Sequence, residues 1–230
     1  MRRLVVAMAA GVVLLVSGCG STAAPEPTEA PEGHALYAAG AEVHERFSTG
    51  LHSVLMAVNE GTWAVQQKES GVVPILCSGE GGFFFQAIRE STQLATDADE
   101  LQQRATGALE ALDLDVTTRV LGSGENEERA IVGVGGVFER VTVSIRPATG
   151  AALVTARSAC ADGDAGELAE LVFAQSTDPA PWRLVPATEG PASAPQFYFP
   201  SDGPLYYDEA GNPLDPQPVN TNPPEAPYGR

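Results

Sequence analysis

Three cysteines are the residues whose chemistry bears most directly on this chain of 230 residues. A cysteine thiol can close a disulfide, ligate a metal ion or carry a covalent group. If Cys19 is engaged elsewhere, Cys77 and Cys160 remain as a pair, and such a pair outside the cytoplasm usually forms a disulfide. A loop of about 84 residues would then gain on the order of 4–5 kcal/mol from chain entropy. We predict this disulfide; metal binding is the alternative, although no CxxC spacing or nearby histidine supports it.

The sequence carries no motif that joins a nucleophile to a base. GxSxG, SxxK and a Cys–His arrangement with a free thiol are all missing from it. Asp162-Gly163-Asp164 is typical of a turn and helix cap, with calcium binding as a weaker alternative because a full EF-hand loop is lacking. We therefore predict no catalytic residues, no cofactor and no metal site.

The first nineteen residues have the order of a secretory signal. Arg2 and Arg3 precede an apolar run of about 13 residues, which is shorter than the ~20 that a membrane-spanning helix needs. The run closes on Val16-Ser17-Gly18-Cys19, which resembles a bacterial lipobox. The resemblance implies that Cys19 carries diacylglycerol and becomes the mature N-terminus. An ordinary secretory signal with a chance thiol and twin-arginine export are the alternatives.

Composition divides the rest of the chain. We expect a signal peptide at 1–18, the lipidated cysteine and a disordered tether at 19–33, one domain at 34–175, and an acidic Pro-rich tail at 176–230, because thirteen of the 18 prolines lie between Pro179 and Pro227. A net charge of -17 excludes nucleic acid as a partner. Aromatic residues at 196–208 leave two alternatives for the tail, docking on the domain or remaining free.

Hydrophobic periodicity predicts an α+β domain. A helix over 34–60 would end at Gly61, and its histidines, His34, His44 and His52, would lie on solvated faces. Thr96 or Asp97 could cap a second helix, and Asp164 could cap a short third one. The expected strands are 62–68, 83–90, 116–121, 130–134, 137–146 and 151–161. The short apolar run at 71–78 contains Pro74, which confines it to a sheet edge or a loop. We predict an antiparallel sheet of five to six strands with two long helices on one face, in the order α-β-β-α-β-β-β-β.

The arrangement resembles the uncharacterised actinobacterial, mycobacterial-type, cell-envelope lipoproteins. The features that carry the resemblance are the lipobox, the Pro/Glu/Thr tether, a Trp-bearing strand before Cys77, an aromatic strand after it, and Ser158-Ala159-Cys160 on the last strand. The resemblance implies an extracytoplasmic location and a 77–160 disulfide, and it implies no activity. The long aromatic tail departs from the commoner pattern of the group.

Three classes of function follow. The favoured one is a non-catalytic interaction or scaffold module, anchored to the membrane by acylated Cys19, whose acidic surface or tail segment 196–208 binds another envelope protein. The alternative is a carrier or sensor that holds an apolar, lipid-like ligand between helices and sheet. Its pocket would be lined by Trp63, Phe83, Phe84 and Phe85, although three consecutive phenylalanines are more typical of a strand buried on both faces. An enzyme with a site that no motif marks is the least favoured class.

Overall fold

The structure, a computed structural model, describes residues 30–65, 73–79, 81–92, 94, 96–173 and 188–189. The predicted signal peptide, Cys19, most of the tether and nearly all of the tail, including 196–208, lie outside the described residues. Among the helices that are described, none combines the length and apolarity needed to cross a bilayer.

The described chain forms three helices and nine strands. Their bounds are α1 Gly33–Val58, β1 Trp63–Val65, β2 Ile75–Leu76, β3 Phe83–Phe84, β4 Gln86–Ser91, α2 Ala98–Glu110, β5 Asp115–Leu121, β6 Glu128–Gly135, β7 Phe138–Arg146, β8 Ala151–Ser158, α3 Ala165–Phe173 and β9 Thr188–Glu189. A short 3₁₀ turn, Gly124–Asn126, joins β5 to β6.

The predicted α+β class is confirmed. Six strands between Trp63 and Ser158 form an antiparallel sheet in the order β5-β6-β7-β8-β4-β1, and β9 pairs with β1 as a seventh. Strands β2 and β3 form a separate two-stranded sheet. Strand β9 comes from the predicted tail, so one short piece of that segment belongs to the fold.

One face of the sheet carries the helices. α1 packs on β8, α2 packs on β5, β6 and β7, and α1 also contacts α2 and α3. The strand residues beneath them alternate with half-buried residues on the other face, as period-two side chains require. The inward set on β7 and β8 is Val141, Val143, Ile145, Ala152, Val154 and Ala156.

The close approach of α1 to β7 depends on a small residue. A Cβ on Gly50 would lie 3.0 Å from the Phe138 ring, and the Phe47 ring meets the same ring at 5.7 Å between centroids. Phe138 precedes the β-bulge that separates it from Arg140. A larger residue at Gly50 would push the helix away from the sheet.

The end of α1 differs from the prediction. The helix stops at Val58, and Asn59 is extended (φ -152°), so Gly61 does not cap it. Asn59 instead donates from Nδ2 to Ser91 Oγ at 2.7 Å, and its main-chain oxygen accepts from Trp63 Nε1 at 2.9 Å. The amide side chain and carbonyl of one residue therefore end the helix and fix the start of β1 against β4.

The expected strand at 83–90 is interrupted at Phe85. The Phe85 N–H donates to Ser158 Oγ at 3.0 Å, and the Phe85 carbonyl accepts from the Ser158 N–H at 2.9 Å. Before this point β3 pairs with β2; after it β4 pairs with β1 and β8. A periodicity that is continuous in the sequence therefore serves two different sheets.

Both predicted acidic caps are present. Asp97 accepts from the Asp99 N–H at 2.8 Å, and Asp164 accepts from the Glu167 N–H at 2.7 Å. The Glu167 side chain then reaches another helix, where its Oε1 accepts from the Gly33 N–H at 2.7 Å. A carboxylate at a helix N-terminus offsets the partial positive charge there, so α3 also fixes the beginning of α1.

The two cysteines of the domain lie at disulfide distance. Cys77 follows β2, Cys160 follows β8, and their Cα atoms are 6.2 Å apart. Gly82 passes close by with φ +98°, and a Cβ there would lie 2.8 Å from Cys160 Sγ. The pair therefore joins the small sheet to the end of the large one.

Candidate interaction surfaces

The aromatic residues predicted to line a ligand pocket lie in the protein core. Trp63, Phe83 and Phe85 have no exposed surface, and Phe84 is buried as well. The Phe83 and Phe85 rings meet edge to face at 6.0 Å, and Phe47 of α1 stacks on Phe85 at 6.5 Å. Because these rings are buried and contact one another and α1, they favour the expected buried strand over a ligand-binding pocket.

Phe84 carries a polar contact on the other face of the sheet. The Arg157 guanidinium carbon lies 3.7 Å from the centre of the Phe84 ring, and Arg157 Nε lies 2.7 Å from Glu139 Oε2. The N–H of that buried nitrogen is not aimed at the carboxylate, so the contact is an ion pair without an aligned hydrogen bond. Arg157 therefore joins β3, β7 and β8 instead of presenting a free cation.

His44 is buried, which corrects the expectation that it lies on a solvated helix face. It is 2 % exposed, and its ring meets the Phe85 ring edge to face at 5.0 Å. Ser48 Oγ lies 3.4 Å from His44 Nδ1 on the same helix. His34 stays exposed and His52 is half-buried. The wide apolar stripe of α1 thus includes one imidazole.

An open groove of about 820 Å³ lies between α1, the turns before β5 and before β7, and the end of β8. Val43, Leu112 and Val137 provide its apolar surface. Its charged residues lie on two elements: Glu45 and Arg46 are on α1, with Arg46 3.8 Å from Glu42, and Asp113 is in the turn after α2. Volumes of this size can hold small molecules, but dispersed exposed charges define no acid–base pair.

The two edges of the large sheet differ. At one edge β1 is covered by β9, with Trp63 opposite Glu189 and Ala64 opposite Thr188. At the other edge β5 pairs with β6 over seven consecutive residues, from Asp115 opposite Val134 to Leu121 opposite Glu128. No described strand pairs with the outer side of β5. That side therefore presents a row of main-chain N–H and C=O groups.

Strand β5 has few of the devices that protect an edge. Proteins usually shorten such strands, interrupt them with a bulge, or place lysine or proline on them. The sequence Asp-Val-Thr-Thr-Arg-Val-Leu has no lysine or proline, and its register with β6 is continuous. All of its residues except Val116 are exposed. The strand is thus long, rich in β-branched residues and accessible.

Large apolar side chains are exposed beside this edge. Val120 is 61 % exposed, Leu121 is 50 % exposed, and Val134 on β6 is 42 % exposed. Within residues 73–79, Ile75 and Leu76 of β2 are exposed as well. Exposed apolar residues next to unpaired main-chain groups provide both parts of a strand-addition site. We call the outer side of β5 with Val120 and Leu121 the β5 edge.

A charged cluster fixes β6, the strand next to β5, against α2. Arg129 lies opposite Val120, contacts the Asp99 carboxylate at the start of α2, and donates from Nε to Glu127 at 3.0 Å. The hydrogen bonds that Arg129 donates to Asp99 and then to Glu127 raise the pKa of Arg129 above its ordinary value. The guanidinium thus stays charged and ties α2 to β6 next to the exposed strand.

Comparisons with known proteins give one distant structural similarity. No family model and no curated protein matches the sequence. The crystal structure of a DUF4853 family protein from the actinobacterium Actinomyces odontolyticus is similar to 52 % of this chain and 67 % of that chain, at 18 % identity and a TM-score of 0.37. Similarity at this level transfers no function. The resemblance to actinobacterial envelope lipoproteins stays a prediction from the sequence.

Sequence reasoning located strand β5 but did not identify it as an accessible edge. The order of the strands carries a signal, because β5 opens the antiparallel run β5-β6-β7-β8 and has no hairpin partner before it. Reasoning from the sequence also missed Arg89, which is 4 % exposed on the core face of β4, opposite Val154 of β8. An arginine inside an alternating strand carries no sequence signal for burial.

Proposed function

We propose that this protein is an extracytoplasmic lipoprotein, anchored to the membrane through acylated Cys19, that acts as a non-catalytic interaction module of the cell envelope. The anchor rests on the lipobox-like residues Val16 to Cys19. The interaction role rests on the β5 edge, a seven-residue strand whose outer main-chain groups and apolar side chains are exposed. An added strand at this position would pair those groups and cover Val120.

The folded domain supplies this edge on a rigid support. Strand β5 pairs along its whole length with β6, and α2 packs on β5, β6 and β7. A preorganised strand loses little conformational freedom on binding, which lowers the free-energy cost of association. A Cys77–Cys160 disulfide, which we include in the proposal, would add rigidity to the opposite half of the sheet.

The contact is tested by a photo-crosslinking amino acid placed at Thr118 of the full-length chain in intact cells. Thr118 is exposed at the middle of β5, and the exposed Glu110 on α2 is the matched control position. We expect a discrete adduct from position 118 that Val120→Glu removes, and no adduct from position 110. Equal labelling at both positions, or none at either, would contradict a contact at the β5 edge.

The anchor is tested separately with Cys19→Ser in the full-length chain. We expect the substituted protein to remain unprocessed or to leave the membrane, since the thiol that accepts the lipid is gone. The neighbouring substitution Gly20→Ser retains the thiol and provides the control. Normal processing and membrane retention of Cys19→Ser would overturn the lipid assignment while leaving the β5 contact open to its own test.

A further inference from the structure

We infer that the occupant of the β5 edge is a second copy of this chain, paired antiparallel through β5 with Thr118 on the two-fold axis. The inference rests on the proposed interaction function and names its partner. Two sheets would join across a β5–β5 ladder into one continuous sheet. Such an interface is isologous, since each copy offers the same strand to the other.

The sequence of β5 is compatible with pairing to itself in this register. With Thr118 opposite Thr118, Val116 lies opposite Val120, Thr117 opposite Arg119 and Asp115 opposite Leu121. All seven residues of the strand are paired, and the exposed Val120 gains an apolar neighbour. Paired β-branched residues and paired threonines stabilise antiparallel ladders by roughly 0.2–1 kcal/mol each.

The neighbouring registers are poorer. A two-fold axis perpendicular to the sheet requires that paired residues of the two copies point to the same face. The register can therefore shift only so that a different residue of β5 lies on the axis. An axis at Arg119 sets two guanidinium groups opposite each other, which is destabilising. An axis at Thr117 sets Asp115 opposite Arg119, but it leaves Val120 and Leu121 beyond the partner's strand, so two of the seven residues lose their pairing. The Thr118 register avoids both.

Charge also favours a copy at this position despite the net charge of -17. The strand itself is balanced, with Asp115 and Arg119 as its two charged residues. In the Thr118 register no like charges lie directly opposite, and Asp115 of one copy is diagonal to Arg119 of the other, within reach of a long side chain. Repulsion between the remaining acidic surfaces is screened beyond about 8 Å at physiological ionic strength.

Membrane anchoring would allow a weak β5–β5 ladder to hold two copies together. Two chains that are held on one bilayer meet at a higher effective concentration than free chains do. A seven-residue strand pair with few side-chain contacts is weak in dilute solution, so we expect the dimer on membranes and not after dilution in detergent. Added salt should strengthen it, because salt weakens the repulsion between acidic surfaces.

The test is oxidative crosslinking of the full-length chain in membranes, with one cysteine introduced on β5. In the inferred register the Cα atoms at position 118 lie about 4.5–5.5 Å apart, within the range of a disulfide. The matched control is Val120→Cys on the same strand, where four residues of offset separate the two positions by about 14 Å. We expect Thr118→Cys to form a reducible product of twice the chain mass, at least fivefold more than Val120→Cys.

The outcomes separate this inference from the proposed function. Equal dimer from both variants, or none from either, overturns pairing in this register. A photo-adduct at Thr118 of the mass of another protein, with no disulfide dimer from Thr118→Cys, overturns the copy but leaves the interaction module standing. Absence of both the adduct and the dimer overturns both. Dimer from Thr118→Cys that Val120→Glu abolishes supports both.

Discussion

The two edges of the large sheet differ, because a described strand covers only one of them. At the β1 edge a two-residue strand from the Pro-rich C-terminal region covers the three-residue strand that contains buried Trp63. At the β5 edge a seven-residue strand has no described partner on its outer side and exposes Val120. The covered edge thus holds a fully buried core residue, whereas the accessible edge contributes only the partly buried Val116 to the core.

The largest effect is expected at the covered edge. Trp63 is fully buried and donates to the Asn59 carbonyl, so Trp63→Ala should lower the free energy of unfolding by about 3–5 kcal/mol. Trp63→Phe keeps an aromatic ring but leaves that carbonyl without its donor, and we expect a smaller loss of about 1–3 kcal/mol. Denaturant unfolding of the full-length chain measures both. Equal stability of Trp63→Ala and the wild type would contradict the contribution of the β1 edge to the stability of the core.

The cysteine pair gives the next largest effect. Replacement of both Cys77 and Cys160 by serine should reduce the free energy of unfolding by about 2–5 kcal/mol if the bridge closes this loop. The reduced wild-type protein is the control and should lose a similar amount. Mass mapping under non-reducing conditions identifies the linked peptide directly, and two free thiols in the oxidised protein would refute the bridge.

A smaller effect is expected when β9 is displaced. Successive residues of a strand point their N–H groups in opposite directions, so one of Thr188→Pro and Glu189→Pro removes a hydrogen bond to β1 and the other does not. The disruptive variant should lose about 1 kcal/mol of stability and gain amide exchange in β1. The other proline variant is its control. Identical exchange in both variants would mean that β9 does not protect β1.

The smallest effect on folding is expected at the β5 edge. Val120 is exposed and lies opposite Arg129, so a glutamate there keeps a favourable neighbour, and Val120→Glu should change the free energy of unfolding by less than about 1 kcal/mol. The same substitution should abolish crosslinking at Thr118. A loss as large as that of Trp63→Ala would show that β5 serves the core and not a partner.

The sequence predicted local elements better than their surroundings. The strands expected at 137–146 and 151–161 and the acidic caps at Asp97 and Asp164 depend on neighbours in the chain, and all four are present, although the second strand ends at Ser158. The burial of His44 depends on Phe85, far away in sequence, and the end of α1 depends on Ser91 through Asn59. Strand β9 has no periodicity, because its position comes only from pairing with β1.

For the β5 edge, too, the local sequence predicts some features and not others. The exposed positions and β-branched character of β5 follow from its sequence, but its location at an edge follows from the sheet order, which local patterns do not encode. The aromatic residues Phe83 to Phe85 were correctly expected to favour the core, and only the contacts among their rings show how they fill it.

Amide hydrogen exchange at the two edges distinguishes an edge that binds a second copy from an edge that the chain itself covers. The full-length protein is compared in lipid vesicles at low and high surface density, and the peptides that contain 115–121 and 63–65 are followed by mass spectrometry. We predict that protection of the β5 peptide rises with surface density and is lost in Val120→Glu, while the β1 peptide stays constant. Exchange of the β5 peptide that is independent of surface density, or an equal rise in protection at both edges, would rule out association through the β5 edge.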